Sequence, residues 1–228
     1  MNKDARESNR QSWAENVKTF QLRWPEPHII RFLNKTFQQT QRKTSKVLDI
    51  GCGSGKDAVA ISLEGFETYA VDYNASSLKL TRNRASLFGV QVNLVAVDST
   101  ALPFKDNFFE AAVAWGLFSH LDEDVREALL EIRRTLNPGS YLFANWRAKD
   151  DFFYGLGERV GPNTYRLDER TKSFGLTDTV YSFYDITELK QLYTQTGYDV
   201  FNVERLEFWI NNLVVHNVWW QLWARKKP

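Results

Sequence analysis

Apolar and polar positions along this chain follow two rhythms. From Lys46 onward, short apolar runs alternate with longer stretches of helical spacing, the pattern of βαβ units that share a parallel sheet. The runs predict strands near residues 47–50, 68–72, 92–97, 110–115 and 140–146. Between them the spacing predicts helices over 56–64, 75–88 and 123–136, the last stopped by Asn137-Pro138-Gly139. Ahead of the first strand stand two helical candidates. One is a polar, weakly amphipathic stretch over 3–20; the other is opened by Pro25 and Pro27 and carries Ile29, Ile30, Phe32, Leu33 and Phe37. Trp13 and Trp24 fall in or between them.

Residues 147–178 keep neither rhythm. Gly155, Gly157, Gly161, Gly175 and Pro162 are scattered among aromatic and charged residues whose charges cancel, so this segment is read as an insertion or lid. A helix over 186–196 follows, then two long strand-like runs, 199–209 and 213–224. Their link around Asn211-Asn212 is so short that they must form an antiparallel hairpin. Phe208, Trp209, Trp219 and Trp223 alternate along these runs and are expected to pack against helices.

Composition narrows the class. A chain of 228 residues with 43% hydrophobic content can bury one substantial core, so a single domain is expected. Within it, residues 1–45 form an N-terminal helical cap, 46–146 a cofactor-binding core, 147–178 the lid, and 179–228 a C-terminal helix and hairpin. The formal net charge is +1, which gives no overall field for nucleic acid or an anionic membrane. No apolar run approaches the ~20 residues that span a bilayer, and the polar residues 1–10 do not have the pattern of a signal peptide. A cytoplasmic location is expected. Cys52 is the one cysteine, which leaves no intramolecular disulfide and no cysteine-rich metal site; no metal is expected.

The chemistry-bearing residues gather at strand ends. The first strand runs through Asp49 into Gly51-Cys52-Gly53-Ser54-Gly55 and straight on into a helix. Glycines there permit a tight turn and close approach of backbone to a ligand. The second strand ends at Asp72, followed by Tyr73, where a carboxylate can accept the hydroxyl hydrogens of a ribose. The third ends at Val97-Asp98-Ser99, beside the position an adenine would take. Two rivals use similar loops. A dinucleotide dehydrogenase prefers G-x-G-x-x-G or A, whereas here Gly55 is followed by Lys56; a P-loop would need glycine at Ile50 and Ser or Thr at Asp57.

Taken in order, Val47 to Gly55, Tyr69-Ala70-Val71-Asp72, Val97-Asp98-Ser99, Leu102-Pro103-Phe104 and Leu136-Asn137-Pro138-Gly139 resemble the class I, Rossmann-like S-adenosylmethionine-dependent methyltransferases, of the methyltransferase type 11-like kind. The resemblance covers about residues 46–146. It implies an α/β fold of three layers: a seven-stranded, mostly parallel sheet with an antiparallel last strand, a helical N-terminal cap and a lid insertion. Glu110 stands where many relatives have Asp, a position that supports the loop without touching cofactor.

For the bound cofactor, S-adenosyl-L-methionine (product S-adenosyl-L-homocysteine), the resemblance implies contacts from Asp49, Gly51, Cys52, Gly53, Gly55, Asp72, Tyr73, Asp98 and Ser99. Trp115 at the tip of strand four is a candidate for cation–π attraction to the sulfonium, and Trp24 and Phe20 in the cap are candidates to line the site. Cys52 reads as a loop filler with no base beside it. Methyl transfer from a sulfonium is an in-line displacement in which the enzyme aligns, desolvates and, for a hydroxyl acceptor, deprotonates. His120, after strand four, is the candidate general base. His28 and His216 read as structural. Trp146, Tyr154 and Tyr165 are candidates to contact the acceptor, with Phe152, Phe153 and Phe174 completing an apolar lid. The expected reaction is methylation of an oxygen or nitrogen on a small or peptide-like molecule. The alternatives are an RNA (tRNA) or protein acceptor, and a non-catalytic binding module or partner subunit that kept the fold.

Overall fold

The computed structural model describes residues 24–228. The helix expected over 3–20, with Trp13 and Phe20, lies outside the described residues. Along the described chain run α1 (Pro27–Thr36), β1 (Lys46–Ile50), α2 (Lys56–Leu63), β2 (Glu67–Asp72), α3 (Ala75–Leu87), β3 (Val92–Ala96), β4 (Phe109–Ala114), α4 (Val125–Thr135) and β5 (Leu136–Arg147). Then come β6 (Glu158–Arg159), β7 (Thr164–Arg166), β8 (Val180–Ser182), α5 (Ile186–Gln195), β9 (Tyr198–Ile210) and β10 (Val215–Lys226).

Seven strands form one sheet in the order β3-β2-β1-β4-β5-β10-β9. All neighbours among the first five are parallel, and β10 alone runs against both of its partners. Strands such as Val47-Leu48-Asp49-Ile50 are buried throughout because both faces are covered, which is why they read as continuous apolar runs without alternation. On one face, Leu48, Ala112, Leu142, Ala144, Trp146 and Leu222 pack with α4 and α5. On the other, Val47, Ala111, Val113, Phe143 and Trp223 pack with Ile29, Phe32 and Leu33 of α1. These are the three layers that the resemblance implied.

Local chemistry sets the helix ends. The Glu26 side chain caps α1 by accepting from the His28 N–H, with Pro27 at the first helical position. Asp185 and Glu188 form a capping box on α5. Asn137-Pro138-Gly139 lies within the β5 span, and α4 ends just before it at Thr135.

The aperiodic insertion has structure of its own. β6, β7 and β8 make a small antiparallel sheet over a cluster of Phe153, Leu167, Tyr181, Phe183 and Val215. Its strands are two or three residues long, too short to display a period, and β8 begins at Val180, beyond the aperiodic stretch that ends at residue 178.

The closing hairpin departs from expectation at its tip. Trp223 packs edge-on against Phe32 at 5.2 Å, but Phe208, Trp209 and Ile210 are exposed, as are Leu213 and Val214. The expectation that Phe208 and Trp209 pack under helices is therefore corrected: β9 is an edge strand that runs past the covering helix. The Trp209 ring instead stacks on His216, centroids 4.2 Å apart. Asn211, Asn212 and Leu213 all turn through positive φ to reverse the chain.

Candidate functional site

Because β1, β2, β3 and β4 are parallel, their carboxyl ends open along one edge, and the candidate residues meet there. The Gly51 and Cys52 N–H groups both donate to the Val71 carbonyl, at 2.8 and 3.1 Å, which locks the glycine loop onto β2. Gly51 has φ +73°, and a Cβ there would sit 3.2 Å from Leu117, so the loops after β1 and β4 touch. Gly55 is constrained for a different reason: a Cβ would lie 2.5 Å from the Thr81 side chain and 2.7 Å from its Cα. Its missing side chain lets α2 start against α3.

Asp72 ties the loop to the next helix. Its Oδ2 accepts from the Gly53 N–H at 2.9 Å and its Oδ1 from the Asn74 N–H at 2.8 Å. Burial pushes its pKa up, while these bonds and one from Ser77 pull it down. Tyr73 follows, partly exposed. Asp98 Oδ1 accepts from both the N–H and the hydroxyl of Thr100, and Ser99 beside it is buried.

Asp49 is the most perturbed carboxyl. It is buried, its Oδ2 has no hydrogen-bond partner, and its pKa is pushed well above the carboxylate range by burial first, then by Asp57 and Asp72. Such a group favours a cation beside it. Cys52 is also buried, with its thiol pKa pushed up by burial, Asp49 and Asp72, so it stays a thiol near neutral pH.

Sequence reasoning passed over Asp57, whose Oδ1 accepts from the Glu26 N–H at 2.7 Å and whose Oδ2 pairs with Lys56. That bond draws the segment leading into α1 down beside the loop. The signal available was an acidic residue in the first turn of the loop helix. Trp24, just upstream, is 74% exposed. Trp115 lies stacked against His28, centroids 5.8 Å apart and planes within 6°, so His28 belongs to the wall of the crevice.

Two acceptor-side candidates move elsewhere. Trp146 is completely buried on the α4–α5 face, stacked on Phe118 at 4.5 Å, with its Nε1–H donating to the Tyr193 hydroxyl. The alternation of β5 turns it away from α1, and its neighbour Arg147 takes the other face; its assignment as an acceptor contact is withdrawn. His120 packs against Tyr181 with Nδ1 3.2 Å from the Val180 carbonyl, and burial drives its pKa down to about 3, helped by nearby Arg147. A base that weak gives a hydroxyl little reason to lose its proton, so the general-base role is corrected to anchoring the lid sheet. His120→Gln is expected to lower kcat by less than tenfold, where loss of a true base costs ~10²–10⁴. A pH–rate profile that loses a limb in this variant would restore the catalytic role. Tyr154 and Tyr165 lie on the lid with rings 5.3 Å apart, Tyr154 against Phe183.

Beyond the lid, Arg147 and Asp151 form a buried ion pair at 2.7 Å that sequence reading left among cancelling charges. The guanidinium lies over the rings of Trp219, Tyr181 and Phe153 at 4.2, 4.7 and 5.0 Å. Asp151 also accepts from the Val218 and Phe153 N–H groups, stitching lid to β10.

Comparison with known proteins bears on the domain and the fold. Residues 47–139 match a family model described as a methyltransferase domain. The ubiquinone/menaquinone biosynthesis C-methyltransferase of Cupriavidus metallidurans is 33% identical over 140 residues, which cover 54% of this chain and 57% of that protein. The chain spans about half the length of the curated relatives it matches. Among solved structures, a SAM-dependent methyltransferase from Methanosarcina mazei superposes with a TM-score of 0.72 at 20% identity, over 86% of this chain and 97% of that one. The 1,6-didemethyltoxoflavin-N1-methyltransferase of Burkholderia thailandensis, with bound 1,6-didemethyltoxoflavin and S-adenosylhomocysteine, gives 0.70 at 18% identity, over 98% and 87%. At these identities the likeness is one of fold.

Proposed function

We propose, from the match of residues 47–139 to a methyltransferase-domain model and from the site's geometry, that this chain transfers the methyl group of S-adenosylmethionine to a small-molecule acceptor held between the crevice and the lid. The observation that carries this reading is the convergence of Asp49, Asp72 and Asp98 on one edge around the Gly51–Gly55 turn. S-adenosylmethionine supplies an electrophilic methyl group on a sulfonium and carries an ammonium and a ribose. The residues fit it: Asp49 Oδ2 is a buried oxygen without a partner, and the Asp72 carboxylate, beside its bonds from Gly53, Asn74 and Ser77, can still accept from ribose hydroxyls. Trp115 would offer its ring to the sulfonium, and Asp98 with Ser99 would take the adenine.

The chain's own contribution to the reaction is placement and exclusion of water. With His120 held neutral and weak, the acceptor that suits this site is one already nucleophilic at the operating pH: an amine, or an ionised phenol or enol. Oxygen and nitrogen acceptors, and a carbon activated by an adjacent enolate, all satisfy that requirement. Methyl-labelled cofactor incubated with the protein and small-molecule extracts, followed by mass spectrometry, identifies the product; labelled RNA or protein with no labelled small molecule would overturn the acceptor class.

Asp49 makes cofactor binding pH-dependent. Its folded pKa is raised above the unfolded value, so its protonated form is favoured in the free protein, and stability falls as pH rises through the shifted titration. A bound cation favours the carboxylate instead. Affinity should therefore rise with pH through the raised titration of Asp49, with proton release visible as a dependence of the calorimetric enthalpy on buffer ionisation. Asp49→Asn should flatten the profile. A flat profile in the unsubstituted protein would remove Asp49 from the site.

A further inference from the structure

Side chains two residues apart on a strand share a face, so the register of β5 with β10 decides which groups stand together on the acceptor side. Arg147 pairs with Trp219 and Asn145 with Gln221, and Asn217 stands two residues before Trp219. Arg147, Asn145, Asn217 and Gln221 therefore share the α1 face of the sheet, between Phe143 and Trp223 under α1 and the lid rings Tyr181 and Phe153. The row adjoins the crevice directly: the Gly116 N–H, next to Trp115, donates to Asn145 Oδ1 at 2.6 Å.

Burial makes this row unusual. Arg147, Asn217 and Gln221 are 6%, 6% and 1% exposed, yet Arg147 Nε, Asn217 Nδ2 and Gln221 Oε1 are all buried without a hydrogen-bond partner. A fourth such atom, Trp223 Nε1, lies two residues further down the same face, where Phe32 packs on the ring. Burying an unsatisfied polar group is costly, so such groups persist where something else satisfies them. Three of them on one face of the sheet, in a row that touches the loop after β4, mark a place built for a ligand's polar atoms.

Resting on the cofactor reading above, we propose that this row recognises the polar end of the acceptor, and that the acceptor carries a carbonyl oxygen, taken by Arg147 Nε–H and Asn217 Nδ2–H, together with a hydroxyl or N–H group taken by Gln221 Oε1. The chemistry follows from the donors. Two N–H groups call for an acceptor oxygen. Asp151, fully buried at 2.7 Å from the guanidinium, already balances its charge, so a ligand carboxylate placed there would itself be the uncompensated charge in a low-dielectric setting. A carbonyl dipole carries no such charge. Opposite it along the row, Gln221 Oε1 can only accept, which selects a molecule with a donor at its other end.

The test uses the full chain saturated with S-adenosylhomocysteine and a fragment set of matched pairs: aryl ketones or amides bearing a hydroxyl, each beside its analogue lacking the carbonyl, titrated by ligand-observed NMR. The carbonyl member should bind at least about tenfold tighter than its partner, and Asn217→Leu should erase that preference; Gln221→Leu should erase the preference for the hydroxyl. Because each substitution removes an unsatisfied polar atom, the Tm of the ligand-free protein should hold or rise by about 2–4 °C. Equal binding of paired fragments, absence of fragment binding, or a fall in Tm with carbonyl preference intact would overturn the proposal. Calorimetry with S-adenosylhomocysteine separates the two readings. No binding by the unsubstituted protein would fail the cofactor assignment, whereas normal binding without carbonyl preference would fail this inference alone.

Discussion

Replacing Asp72 with alanine is expected to weaken S-adenosylmethionine binding by at least about 100-fold, read by calorimetry. Charge-assisted hydrogen bonds are worth ~1.5–3 kcal/mol each, and two ribose hydroxyls on one carboxylate make ~3–6 kcal/mol, with each 1.4 kcal/mol a factor of ten. A second loss adds to the first. Asp72 Oδ2 also holds the Gly53 N–H, so the variant's loop must find its conformation without that bond. Asp72→Asn keeps the shape and one acceptor oxygen but presents an N–H to a donor, and should fall between the two. An alanine variant that binds within tenfold of the parent would mean the ribose sits elsewhere.

Removing Asp151 is expected to be the most damaging single change to stability. Asp151→Ala strands the Arg147 guanidinium among Trp219, Tyr181 and Phe153 and leaves the Val218 and Phe153 N–H groups without their acceptor. Breaking one partner of a buried pair costs ~3–5 kcal/mol, which for a chain of this length is a fall in Tm of about 6–20 °C. The double substitution Arg147→Met with Asp151→Leu should recover much of that loss, because it removes both charges at once. Thermal unfolding followed by circular dichroism compares all three proteins; an Asp151→Ala midpoint within 2 °C of the parent would contradict the buried-pair account.

The parts of this molecule legible in its sequence are those written locally. The glycine turn, the carboxylates at the ends of β1, β2 and the strand after α3, and the short Asn211-Asn212 link each follow from a few adjacent residues. What was not legible depends on partners far along the chain. The alternation of β5 does not say which of Trp146 and Arg147 faces α1; only pairing with β10 and the position of α4 decide it. Phe208 and Trp209 alternate like buried residues, but β9 outruns the helix layer at its tip. His120 follows strand four as a base would, and only the packing of Tyr181 and Val180 against it explains its low pKa. The row of Asn217 and Gln221 exists because β10 lies between β5 and β9, which no local pattern announces. The lid strands were invisible for a simpler reason: two- or three-residue strands have no period.

The single reversed strand has a consequence in time as well as in space. The parallel pairings among β1 to β5 all lie within residues 46–147, so the half of the molecule that holds the glycine turn can assemble once β5 has been made. The Arg147–Trp219 pairing joins residues about 70 positions apart, and the intervening chain includes the whole lid. During synthesis, which proceeds from the N-terminus, the carboxylate edge is thus ready well before its opposite wall exists. A nascent chain that has produced β5 but not β10 would leave Arg147 and Asn145 on an open sheet edge, making the passage from residue 147 to residue 226 the interval in which this protein depends most on being shielded from its neighbours.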